Sequence, residues 1–426
     1  MIILPHQSVA SNIRADRNTI YIQRRHHASF STGVNKADEY SWFFLLALSG
    51  TKNESITLLA NMSQADIPTL TRNNSLLFYS TDQINWYRLT VPVLTDSAGL
   101  KQYATFVLPE TGTCYISNTI FYDYSYLDDY FASFVDRHTA YCQKTTIGTS
   151  LQNRPLRLLT LSNNANPLDR ILLTTGCHPA EPDVIASQAI IDWLVSPPGL
   201  KLLTRYQVDV LPLSNPDGFV NRSCLTSNGI NLYWNFMKDD QKKCPEAFYL
   251  WRYILDHPPL LYLDFHSYVH QYHRHPMPYL KDTIAYRGAF TKRIVKQMDR
   301  CLIKQSRGFY RFGKLAMWPD SLSHHITQQF NTISYTKYHF NLYEGIPASQ
   351  TRAVNIFIGL TKFLLRQSIN HQHILLAPHG HAILDHSDRW PFTWFYYLPQ
   401  LLSKSYMFGK SYWRYYRHRN QSHLFH

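Results

Sequence analysis

Arg170-Ile-Leu-Leu-Thr-Thr-Gly-Cys-His178-Pro-Ala-Glu181 is an apolar run, then a glycine, then a histidine and a carboxylate three residues apart. A short apolar run bounded by turn signals reads as a buried strand. Pro182 suits the first position of a helix, where a missing N–H costs nothing, and Val184, Ile185, Ala189 and Leu194 form an apolar stripe behind it. The stretch therefore predicts strand, loop and helix. A second apolar run from Leu260 ends in Leu263-Asp-Phe-His266-Ser-Tyr268. Chemistry in an open α/β sheet collects outside the carboxyl ends of the strands, so side chains distant in sequence converge on one rim. His178, Glu181 and His266 supply two histidines and a carboxylate, the donor set of a catalytic zinc that keeps its fourth position open.

Around these segments the chain changes grammar twice. From about Tyr40 to Leu108, short runs such as Trp42 to Leu48, Ser55 to Leu59 and Thr105 to Leu108 alternate with Gly, Asn, Asp and Pro turns, the spacing of a β-sandwich. A helix is expected from the Tyr-rich segment after Phe121 to about Val135. Strands and helices then alternate. Strands are expected near 157–161, 171–175, 207–211 and 260–265, and helices near 182–195, 246–255, 285–304 and 352–365, which implies a mixed, largely parallel sheet flanked by helices. The expected division is a sandwich-like unit with its connecting segment over 1–150, an α/β unit over 151–367 and an extension over 368–426. That extension carries Tyr412-Trp-Arg-Tyr-Tyr-Arg-His-Arg419. Aromatic residues interleaved with arginines serve packing or dimer contact, nucleic-acid stacking or a membrane interface.

The chain has 426 residues and a formal net charge of +13, which favours acidic partners and says nothing about fold. Six cysteines lie scattered without CxxC spacing, against a zinc ribbon or disulfide scaffold and in keeping with reduced thiols in a cytoplasm. No apolar run approaches the length of a membrane span. The N-terminus has neither a charged n-region nor an adequate apolar core for a secretory signal. No HExxH, P-loop, GxSxG elbow or dinucleotide fingerprint is present.

His-x-x-Glu alone is weak in a chain with 21 histidines. Here it is followed in order by Asn215-Pro-Asp-Gly218, Asn228-Gly-Ile-Asn-Leu232, Asn235-Phe236 and Asp264-Phe-His266. That series resembles the zinc carboxypeptidase family, especially its cytosolic branch, in which a β-sandwich precedes the α/β carboxypeptidase domain. The resemblance implies one zinc per chain on His178, Glu181 and His266, and hydrolysis of a peptide or peptide-like amide bond. It implies a catalytic base at Glu344, in Phe340-Asn-Leu-Tyr-Glu344, since a carboxylate beside an activated water takes its proton and returns it to the leaving amine. It also implies an oxyanion-stabilising arginine, for which Arg222 lies in the matching segment.

One departure from the family pattern bears on substrate. Where the family has an Asn-Arg pair that clamps a terminal carboxylate, this chain has Tyr233-Trp234. An indole cannot replace the paired hydrogen bonds of a guanidinium. Either another cation such as Arg274 or Arg311 takes over, or the substrate lacks a free carboxylate and the protein is an amidase or deacylase, or the pocket binds without turnover. Asn231 replaces the Asp that often orients the first zinc histidine, and its amide oxygen can still accept from an imidazole N–H. The expected partner is a peptide or protein substrate, acidic ones included, with nucleic acid as the lesser alternative. The histidines at 371, 373, 379, 381 and 386 have no accompanying carboxylate or thiolate pattern and read as surface side chains.

Overall fold

The computed structural model describes residues 2–4, 11–24, 44–61, 77–91, 94–95, 101–179, 181–233, 235–268, 280–281, 288–305, 314–315, 321–341 and 345–375. The first ten strands are β1 (Ile2–Leu4), β2 (Ser11–Asp16), β3 (Thr19–Arg24), β4 (Leu45–Gly50), β5 (Ser55–Asn61), β6 (Leu77–Ser80), β7 (Tyr87–Leu89), β8 (Leu94–Thr95), β9 (Lys101–Val107) and β10 (Gly112–Ser117). They make two five-stranded sheets, ordered β1-β4-β10-β6-β7 and β2-β3-β5-β9-β8. Leu46, Leu77 and Ile116 of the first meet Ile22, Leu58 and Phe106 of the second in one buried core, the arrangement of a sandwich. Strands β1 to β3 precede the stretch the sequence marked as strand-rich. Their polar text, Ser-Asn-Ile-Arg-Ala-Asp in β2, reads as a strand only once paired with β3.

Alternation along the first sheet explains why its strands read as unbroken apolar runs. Leu46 and Leu77 face the sandwich core, while their neighbours Leu45 and Phe78 turn the other way into the core of the α/β unit. Trp86 joins them, its indole N–H donating to the Phe121 carbonyl at 3.1 Å. A sheet covered on both faces has no solvent side to keep polar.

The α/β unit opens with α1 (Tyr124–Arg137), capped by the Asp123 carboxylate on the amides of Ser125 and Tyr126. Then come β11 (Cys142–Thr149), β12 (Pro155–Leu161), β13 (Asp169–Thr174), α2 (Val184–Leu194), α3 (Pro197–Leu203), β14 (Tyr206–Leu211), α4 (Pro216–Asn221), α5 (Pro245–Asp256), β15 (Leu261–Tyr268), β16 (Leu280–Lys281), α6 (Ala289–Gln305), β17 (Lys314–Leu315), α7 (Leu322–Phe330), β18 (Ile333–Asn341), α8 (Gly345–Gln367) and α9 (His371–Leu375). The six-stranded sheet runs β11-β12-β14-β13-β15-β18. Strands β14, β13, β15 and β18 are parallel, and β12 and β11 add antiparallel on one side. The fold is thus the expected mixed, largely parallel sheet preceded by a β-sandwich. Strand β11 lies before residue 150 yet pairs with β12.

Helices α2, α6 and α8 cover one face, where Ile190, Met298 and Phe357 pack on Ile171, Leu173 and Leu263. Helices α5 and α7 cover the other, where Trp251 and Ile326 pack on Leu172 and Tyr262. Helix α8 starts seven residues before the expected helix at 352, and the short α3, α4 and α7 carry too few periodic positions to stand out in the sequence. The first residues of the C-terminal extension belong to this unit. Ile374 is buried in the core, and His371, read as a surface side chain, is 8% exposed with its Nε2 on the Phe330 carbonyl at 2.7 Å. Residues 376–426, including the aromatic and basic stretch, lie outside the described residues. All six cysteines are free thiols. Among the described residues no helix is long and apolar enough to cross a membrane.

The sheet order positions the site. Strand β13 sits between β14 and β15, so the chain passes across it on the way from β14 to β15. The crevice at such a reversal opens beside the carboxyl ends of β13 and β15. Leaving β13, the backbone turns at Gly176, whose φ of +68° is open to glycine but strained for other residues. A Cβ there would stand 2.9 Å from the Leu213 Cα and 3.0 Å from the Pro212 carbonyl oxygen. Gly176→Ala should therefore cost on the order of 1–3 kcal/mol, read as a melting midpoint lowered by a few degrees in calorimetry.

Candidate metal centre

His178 and Glu181 occupy the loop between β13 and α2, and His266 lies near the end of β15. The pairing of β15 with β18 shifts register between His266 and Ser267, an irregularity of the kind that re-aims a side chain. The three side chains converge. The Nδ1 of His178 is 3.1 Å from Glu181 Oε1, and the Nδ1 of His266 is 3.2 Å from Glu181 Oε2. One donor atom from each residue lies within 4.8 Å of the others. Ligands bonded tetrahedrally to one zinc stand roughly 3.3 Å apart, so the spacing suits that ion with little movement.

Hydrogen bonds behind the imidazoles decide which nitrogen is offered. The Asn231 side-chain oxygen accepts from the Tyr233 backbone N–H at 2.9 Å, and the same oxygen faces His178 Nε2 at 2.9 Å. Since a backbone N–H only donates, the acceptor is fixed as oxygen, and His178 must carry its proton on Nε2. Asp264 does the same for His266. Its Oδ1 accepts from the Thr174 hydroxyl at 2.9 Å and its Oδ2 from His266 Nε2 at 3.0 Å. Both rings therefore turn Nδ1 toward Glu181, the nitrogen free to bind a metal once any second proton has left, as metal ligands with rear hydrogen bonds do. Asp264 is the site residue the sequence reading passed over. Standing two places before His266 on a strand, it shares that residue's face, which was the available signal.

The electrostatics favour a bound cation. Burial alone would raise the Glu181 carboxyl, but His178 and then His266 outweigh it and hold it at about 2. Burial pushes the His266 imidazole down, and Asp264 and Glu181 more than reverse this, so it sits well above its ordinary range. Asp183, 1% exposed, has no side-chain partner and is met by the Gly176 backbone amide. Its carboxyl is driven well up, by burial first and by the charges of Glu181 and Asp264 next. Two carboxylates, Glu181 and Asp264, against one raised imidazole, His266, leave a net negative charge. The nitrogen and oxygen donor set and the rear hydrogen bonds fit a divalent zinc.

Tyr233 is brought to the site as expected. Its ring meets His266 edge-on at 5.0 Å between centroids and His178 at 5.9 Å. It therefore walls both ligand imidazoles. Arg222 points elsewhere: it caps α4 in a left-handed conformation (φ 56°). Its guanidinium donates to the Tyr122 carbonyl at 3.0 Å and to Gln83 Oε1 at 3.3 Å, and it lies over the Phe121 ring at 5.1 Å. Burial brings it down to about 10, with Asp123 opposing. None of these bonds goes to His178, Glu181 or His266; they tie α4 to the sandwich. Trp234, Arg274, Arg311 and Glu344 lie outside the described residues.

Comparison with known proteins bears on the same region. Residues 127–283 match the model of the zinc carboxypeptidase family, a span that contains all three donors with Asn231 and Asp264. Human cytosolic carboxypeptidase 6 is 34% identical over 124 residues, an alignment covering 26% of this chain and 25% of that protein. The mouse protein of the same name is 32% identical over 124 residues, covering 26% of this chain and 23% of that protein. In fold, a metallo-carboxypeptidase from Burkholderia cenocepacia superposes with a TM-score of 0.70 at 16% identity, covering 86% of this chain and 99% of that one. One from Pseudomonas aeruginosa gives 0.68 at 15%, covering 86% and 100%. With the His-Glu-His cluster inside the matched span, residues 127–283 are similar to the zinc carboxypeptidase family, and the chain spans about a quarter of the length of the cytosolic carboxypeptidases it resembles in sequence.

Proposed function

We propose that the protein is a zinc-dependent hydrolase of a peptide or peptide-like amide bond, with one zinc per chain on His178, Glu181 and His266. The convergence of those three donors, each imidazole held from behind, is the observation that carries this reading. Zinc bound there supplies Lewis acidity and lowers the pKa of water. The residues do the rest. Asn231 and Asp264 hold the two rings in the Nε2–H form, Glu181 contributes the carboxylate oxygen, and Tyr233 shields the ring edges from solvent. Glu344 is assigned the base that takes a proton from the attacking water and delivers it to the leaving nitrogen. Arg222 is assigned to the oxyanion from its place in the family motif, although its hydrogen bonds run to the sandwich. Trp234 and Arg274 are assigned to substrate contact. A cytoplasmic setting accords with the six free thiols and with the likeness to cytosolic carboxypeptidases. The unit boundary we favour falls near Ile120, because β11 joins the α/β sheet, with the remainder of 368–426 as an extension.

One observation favours a second reading, a metal-holding member of the fold that binds peptide without cleaving it. The residue of β18 in register with His266 is Tyr338, so the strand puts no carboxylate in that place, and Glu344 follows three residues after the strand ends at Asn341. Loss of the Asn-Arg pair further favours a substrate without a free terminal carboxylate, hence an amidase or deacylase, over an exopeptidase.

Metal analysis of the purified chain should find one zinc, and Glu344→Gln should lower kcat/KM on the best peptide by about 10²–10⁴-fold. Turnover unchanged in that variant removes Glu344 from the mechanism, and zinc without turnover on free or amidated peptides selects the binding reading. Zinc affinity measured by chelator competition should fall as pH falls from 8 to 6. The metal-free His266 holds its proton above the ordinary histidine range and must release it to bind. Asp264→Asn should weaken zinc by roughly 10–100-fold and flatten that pH dependence, since it removes the charge that keeps His266 protonated.

A further inference from the structure

Behind the two imidazoles, between β13, β15 and α5, lies a chamber of about 20 Å³, room for one water-sized occupant. Its polar wall is made by Glu246, Asp264, Thr174, Ser214, Tyr233 and Tyr262. Glu246 stands in the first turn of α5 and is 2% exposed, and neither of its carboxylate oxygens has a hydrogen-bond partner. An acid at a helix start is favoured by the backbone dipole, which accounts for its sign and not for its burial. Its own amide lies close enough to lower its pKa slightly, burial dominates in the other direction, and the carboxyl is pushed up to about 7.

Three of the neighbouring hydroxyls, those of Thr174, Tyr262 and Ser214, donate their protons elsewhere. Asp264 can only accept, so the Thr174 hydroxyl donates to it at 2.9 Å. The Tyr262 hydroxyl, 2.8 Å from Thr174 Oγ1, must then donate to that oxygen. Ser214 donates to the Thr175 carbonyl at 2.8 Å. These three hydroxyls have only lone pairs left for the chamber they line, beside the Glu246 carboxyl. The ionised, buried Glu246 carboxylate, without a side-chain partner, calls for a cation or a donor in the chamber. Asp264 is engaged through both oxygens, which leaves one free negative charge. One free charge balances a monovalent ion and would leave calcium or magnesium uncompensated. Tyrosine ring faces add to the preference.

We propose that this chamber binds a water-sized monovalent cation, ammonium or potassium, with Glu246 as its charged ligand. The site is separate from the zinc donors and shares only their supporting residues, Asp264 and Tyr233, so it does not depend on the hydrolase reading. Its test is thermal unfolding of the zinc-loaded full chain in ammonium, potassium or choline chloride at equal ionic strength, choline being too large to enter. The wild type should melt several degrees higher in ammonium or potassium than in choline, and Glu246→Gln, nearly the same shape, should lose that shift. If ammonium acts and potassium does not, a primary ammonium on a substrate becomes the natural source of the charge, and lysine-bearing peptides against their side-chain-acetylated forms distinguish it. Thallium(I) diffused into wild-type crystals should give an anomalous peak beside Glu246 whether or not the variant folds. Equal midpoints in all three salts with no thallium peak would overturn the proposal and leave a protonated Glu246 facing water.

Discussion

The Glu181 carboxylate, shared between the Nδ1 atoms of two imidazoles that arrive from different strands, is the contact on which the rest of the site depends. For it to form, the loop after β13 and the end of β15 must be neighbours, and parallel pairing of those strands makes them so. That pairing in turn requires the chain to cross over β13 between β14 and β15, with helices on both faces to cover the crossings. Sheet order, loop geometry at Gly176 and the register shift after His266 are thus successive conditions on one meeting point.

Around it the side chains form a second layer that sets proton positions. Asn231 and Asp264 differ in charge, so the two imidazoles are not equivalent. His266 faces a carboxylate that strengthens its hold on a proton or an ion, while His178 faces a neutral amide. In a protein whose formal net charge is strongly positive, this interior is locally acidic. The overall charge and the charge of the site answer to different demands, solubility and partners for the first and ligand affinity for the second.

Much of this was legible before any coordinates. Strands β13 and β15 announced themselves because a strand buried on both faces is an apolar run with little else to be, and the motif His178 to Glu181 followed directly. Other parts could not be read. The direction of Arg222 depends on a left-handed residue at the end of α4 and on Gln83 and Tyr122 far upstream, neither of which leaves a local trace. Strands β1 to β3 are short and polar and gain their conformation from partners. Asp264 is marked only by the two-residue periodicity of strands, which sets it on the face of His266 and says nothing of its role until Thr174 is seen beside it. Glu246 resembles any acid at a helix start until its burial is seen.

The double-sided burial of the first sandwich sheet also bears on inheritance. Leu45, Phe78 and Trp86 contribute to the interior of the α/β unit as its own side chains do, and Arg222 anchors its guanidinium across the same seam. A gene fragment encoding the α/β unit alone would expose that apolar seam to water. The sandwich is therefore a structural wall of the α/β unit, joined to it by a shared interior and not by a tether alone.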